Sequence, residues 1–141
     1  MIKVFREDNG HLVSSTHENN DFSAVAENVW IDISSPTLDT LKELSKLTSL
    51  PLDFLVSALD SEESARADYD EGNTLIVLDT PVERIQSEKK ETKPLFETIP
   101  FVIIYNQSYY VTLHQEESNL INQLVAKSKL LEPPKHVRMT L

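Results

Sequence analysis

The clearest hydrophobic pattern in the chain is "NTLIVLDTP" (residues 73–81), an unbroken apolar run that predicts a strand in a central sheet position. In "NVWIDI" (28–33), Val29, Ile31 and Ile33 alternate with Trp30 and Asp32, the period of a strand. Residues 2–6 and 11–15 predict two short strands around Asn9-Gly10, a two-residue hairpin signal. "LFETIPFVIIYNQSYYVTLH" (95–114) predicts two more, turning at Asn106-Gln107.

The period changes between these runs. Leu38, Leu41, Leu44 and Leu47 recur every three residues and predict a helix to about Thr48, with Ser35 as its cap and Pro36 at its first position. Ser49-Leu50-Pro51 opens a shorter helix, "LDFLVSALD", with Leu52, Leu55, Val56 and Leu59 on its apolar side. Residues 116–129 predict a third, with Leu120, Ile121, Leu124, Val125 and Leu130 near one face. "STHENNDFS" and "ERIQSEKKETKP" lack either period and read as loop and exposed connector. Strands and helices interleave without regular alternation. The expected fold is therefore α+β: a mixed, mostly antiparallel sheet with helices packed on it.

Composition narrows the function. The chain has 141 residues, enough for one domain with a real core. Its net charge is −10. From Lys127 onward there are four basic residues against Glu132, which leaves −13 on the first 126 residues. Such a surface repels nucleic acid and attracts divalent cations. No apolar run reaches the roughly 18 residues of a membrane helix, and "MIKVFREDNG" has no signal-peptide core. Cysteine is absent, which removes disulfides and thiolate chemistry. Glycine occurs only at positions 10 and 72, which excludes the glycine-rich phosphate loops and the G-x-S-x-G elbow. His11, His17, His114 and His136 are scattered and read as surface or loop residues; Trp30 reads as core or interface. No nucleophile, base or phosphate loop stands out, so the chain is not expected to be an enzyme.

One stretch carries candidate chemistry. "ALDSEESARADYDEG" (58–72) holds six carboxylates and Arg66. These are hard oxygen donors, suited to magnesium or calcium. The spacing fails the calcium-loop template, because Asp68-x-Asp70 lacks a third donor and Gly72 comes one position early. Magnesium keeps most of its water and needs no motif; the bland reading is a solvated linker between helix and strand.

From Val29 to Pro81 the chain resembles the amino-terminal soluble domain of CorA-type magnesium transporters. The residues that carry the resemblance are "VWIDISSPTLDTLKELSKLTSLPLDFLVSALD", "EESAR" with the aspartates after it, and "TLIVLDTP". "FVIIYNQSYYVTLH" resembles the family's next hairpin. The resemblance implies the regulatory, cation-sensing domain of a pentameric channel, at the cytosolic face of the membrane. It implies a soluble domain over 1–132 and the start of a stalk helix at 133–141, with contact to the membrane only through segments beyond it. The implied ion is Mg2+, with Co2+, Ni2+ or Zn2+ as alternatives, sensed or transported and not catalytic. Many members carry a Glu-Asp pair in the second helix, where this chain has Leu55-Val56. Asp53, Asp60, Glu62 and Glu63 are the substitutes the resemblance suggests as metal ligands. The alternative is a free-standing interaction domain with the same fold and no transport role.

Overall fold

Asn9 and Gly10 both take positive φ, 52° and 80°, the turn whose twist matches that of the strands it joins. It links β1 (Ile2–Asp8) to β2 (His11–His17) in a full-length antiparallel ladder. A computed structural model describes residues 1–60, 62–85, 94–116 and 119–128. The chain continues through β3 (Val29–Ser34), α1 (Leu38–Thr48), α2 (Leu52–Val56) with a 3₁₀ turn at Ser57–Leu59, and β4 (Arg66–Asp70). Then come β5 (Asn73–Ile85), β6 (Pro94–Tyr105), β7 (Tyr109–His114) and, last among the described residues, α3 (Asn119–Ser128).

The strands form one seven-stranded sheet in the order β2-β1-β3-β7-β6-β5-β4. Five neighbouring pairs are antiparallel, while β3 and β7 run parallel. That parallel pair is a seam. On one side lie the three strands before α1, on the other the four strands after α2. The expected mixed, mostly antiparallel α+β fold is what the chain adopts.

Each face of the sheet has its own apolar cluster. Ile31, Ile33, Leu75, Val102 and Leu113 pack against Leu41 and Leu44 of α1 and Leu55 of α2. On the reverse face, Phe5, Trp30, Phe101, Ile103 and Tyr110 pack with Ile121 of α3. Every residue of β3 is buried, so the alternation of "VWIDIS" sorts residues between two covered faces.

Four expectations need correction. Ser35 does not cap α1: it sits at φ 51°, with its backbone N–H and hydroxyl donating to the carbonyls of His114 and Gln115 at 2.8 and 2.6 Å. Held there, it turns the chain, and Thr37 caps instead by accepting from the Thr40 N–H at 3.2 Å. The leucine stripe is only half buried. Leu41 and Leu44 are in the core, whereas Leu38 and Leu47 are 45% and 46% exposed, because a three-residue repeat drifts around a 3.6-residue helix. Strand β5 lies second from the sheet edge, not at its centre; Leu75 and Val77 are buried but Leu78 is open. Finally, residues 66–70 of the acidic stretch form a strand, β4, joined to β5 by a turn at Glu71-Gly72 (φ 48° and 86°). Part of the expected connector, 83–85 and Pro94, belongs to the β5–β6 ladder. Its centre and the expected stalk start at 133–141 lie outside the described residues.

Candidate functional site

Asp53 stands in the first turn of α2, exposed, where the free amides of a helix start favour a carboxylate. About one turn later the helix tightens into the 3₁₀ turn, which ends at Asp60, where the chain leaves helical geometry at φ −96° and ψ 109°. The Asp60 side chain accepts from the Glu62 N–H at 2.9 Å and its carbonyl accepts from the Glu63 N–H at 3.2 Å. This turn points Glu62 into solvent and brings Glu63 back to the body, where its side chain is 18% exposed.

Glu63 is not free to take a metal. Its Oε1 accepts from Arg66 Nε at 2.8 Å. The same guanidinium reaches Asp68 Oδ2 at 3.2 Å and Ser57 Oγ at 3.3 Å, and Ser57 Oγ donates to the Asp53 carbonyl at 3.3 Å. The Glu63 carboxylate, with Asp68, holds Arg66 above the ordinary arginine value. One arginine therefore offsets two of the six carboxylates and ties the start of β4 to the end of α2. Asp60 and Glu62 adjoin, Asp53 lies on the neighbouring helix, and among the described residues no three His, Asp or Glu side chains gather closely enough to hold a metal. A hollow of about 300 Å³ lies elsewhere, beside Asn20, Thr37 and Thr40 at the start of α1, and no residue of the acidic stretch lines it.

The most organised polar group was invisible in the sequence. Asp32 and Thr112 face each other across the β3–β7 seam, and Ser34 faces His114. Trp30 Nε1–H donates to Thr112 Oγ1 at 2.9 Å, and the Thr112 hydroxyl donates to Asp32 Oδ1 at 2.6 Å. His114 Nε2 meets the same Oδ1 at 2.8 Å, and Nδ1 meets the Glu116 carbonyl at 2.6 Å. Phe101 stacks on the imidazole, 5.4 Å between centroids and 5° from parallel. Asp32 and His114 are each 3% exposed. His114 is thus a core residue, correcting its reading as surface or loop. A Thr, a His and an Asp meet here, but the hydroxyl gives its proton to the carboxylate and not to the imidazole. No base activates it, and water cannot reach it.

Together the fold offers a rigid sheet locked by a satisfied buried network, with an acidic, partly neutralised edge at β4. The chain belongs to the CorA-like Mg2+ transporter protein family, whose model matches residues 25–140. No curated protein sequence matches it significantly. Among solved structures it is similar to the soluble domain of CorA from Methanocaldococcus jannaschii (TM-score 0.61, 21% identity, 98% of this chain and 50% of that one). The complete CorA magnesium transporter of the same organism matches with TM-score 0.57 and 21% identity, over 90% of this chain and 36% of that one. The full-length CmaX protein matches with TM-score 0.62 and 12% identity, over 97% and 42%. The chain therefore spans half or less of the length of these structures. Among the described residues, no helix is long and apolar enough to cross a membrane.

Proposed function

We propose that the chain is the cation-sensing regulatory domain of a CorA-like divalent cation channel, with Mg2+ as its ion. The observation that carries this reading is the family match over residues 25–140, supported by the shared fold. Residues 1–132 form the domain, 133–141 lead into a stalk helix, and the domain works at the cytosolic face of the membrane within a pentamer. The acidic edge supplies the mechanism. Asp53, at the start of α2, and Asp60 and Glu62, in the turn that follows it, are exposed and repel a like surface on a neighbouring protomer. Hydrated Mg2+ between the two surfaces offsets that repulsion and favours the closed assembly; when Mg2+ falls, the surfaces part. Glu63 contributes by holding Arg66, and joins the ion only if that bond opens. Carboxylate and water oxygens suit Mg2+, and its availability, not a higher intrinsic affinity, sets it ahead of Co2+, Ni2+ or Zn2+ at such a site.

The test is sedimentation and thermal unfolding of the chain with MgCl2 and with NaCl at equal ionic strength. Mg2+ should promote self-association or raise the midpoint beyond the sodium effect, at millimolar levels, and Asp60→Asn with Glu62→Gln should remove the difference. Equal effects of the two salts would reject sensing by these carboxylates and leave an interaction domain of the same fold. Reading the native frame past Leu141 tests the transporter setting separately.

A further inference from the structure

The β3–β7 seam joins the two halves of the sheet, and the Asp32–His114 pair bridges it diagonally toward the end where Ser34 and His114 close the ladder. Both ring nitrogens of His114 face acceptors: the Asp32 carboxylate through Nε2 and the Glu116 carbonyl through Nδ1. A neutral imidazole has one N–H, so one of these short contacts would set two lone pairs against each other. Both contacts are satisfied at once when the pair holds a second proton, and because Asp32 Oδ1 also accepts from the Thr112 hydroxyl, which favours the carboxylate, that proton belongs on the imidazole. Among the described residues, the charged groups facing it are Asp32 from β3 and, more distantly, Lys3 from β1, while β6 contributes the uncharged ring of Phe101.

We infer that protonated His114 is a latch across this seam, and that loss of its proton loosens the two half-sheets from each other. Burial alone favours the neutral ring, but the hydrogen bond and charge of Asp32, with the Glu116 carbonyl, outweigh it and hold His114 above the ordinary histidine value. The sign follows. A group whose affinity for protons rises on folding stabilises the fold below its unfolded pKa, about 6.5, and that contribution disappears as pH climbs through the higher folded value. Deprotonation also leaves Asp32 buried with its cationic partner gone, the costly half of a broken buried pair.

The experiment is long-range proton–nitrogen NMR of the imidazoles of the 141-residue chain, assigned by single His→Asn changes at positions 11, 17 and 136, across pH about 6 to 9. His114 should show both nitrogens protonated at pH 6.5 and titrate above the ordinary histidine value. Amide protection along β3 and β7, corrected for intrinsic exchange, should fall with that titration more than protection in the β1–β2 ladder. The urea midpoint should decline over the same range, and His114→Gln, which keeps a donor to Asp32, should flatten the decline. A neutral His114 at pH 6.5 overturns the inference. So does a charged His114 whose titration leaves seam protection and the urea midpoint unchanged.

Discussion

Thr112 completes two bonds with one hydroxyl, accepting from Trp30 and donating to Asp32, and it is fully buried. Thr112→Val keeps the shape but leaves the indole N–H without an acceptor and removes a donor from Asp32. It should lower the unfolding free energy by about 2 kcal/mol, read from urea denaturation. Thr112→Ser keeps both bonds and loses one methyl, so it should cost about 1 kcal/mol; equal losses for the two variants would show that packing, not bonding, holds this site. None of the partnership was legible beforehand. Asp32 and His114 are 82 positions apart, and their meeting depends on a parallel register that no local pattern encodes. Asp53, Asp60, Glu62 and Glu63 could be singled out because they cluster in sequence. The arginine that engages Glu63 was also in view, but its direction depends on the turn Asp60 makes.

At the scale of elements, periodicity located most strands and both long helices, and failed where charge masked it. "RADYD" reads as linker because all five of its residues are exposed in the strand, so no buried apolar alternation exists to mark it; Gly72 in the second turn position is the one signal of the hairpin. The two hairpin turns invite comparison. The first uses Asn9-Gly10, whereas the second places Glu71, a poor left-handed residue, at φ 48°. Glu71→Asn should therefore stabilise the chain by about 0.5 kcal/mol, and a lower urea midpoint would mean that Glu71 makes a contact worth more than its backbone cost. The same scale separates the leucines of α1. Leu44→Ala, in the core, should cost about 3 kcal/mol, while Leu47→Ala, 46% exposed, should stay within about 0.5 kcal/mol. Similar costs for both would restore the three-residue stripe as the buried face.

Across the whole molecule, charge is the property that composition made legible and the fold distributes. The net charge of −10 repels itself more strongly in a compact chain than in an expanded one, so folding works against it. Exposed repulsion is screened once the Debye length falls below the spacing of the charges, between about 20 mM and about 0.5 M salt. The Asp32–His114 pair lies inside the sheet and is screened far less. Raising NaCl over that range should therefore raise the thermal midpoint of the chain. His114→Gln should show the same increase from a lower baseline, because the salt-sensitive charges lie elsewhere. Asp60→Asn with Glu62→Gln should show a smaller increase, since it removes two carboxylates from the most acidic turn. If added salt lowers the midpoint, attraction rather than repulsion governs the surface, as it would if the basic positions from Lys127 onward were already paired with the acidic body. The stability of the fold would then depend on that pairing, and the acidic edge would have less charge to offer an incoming cation.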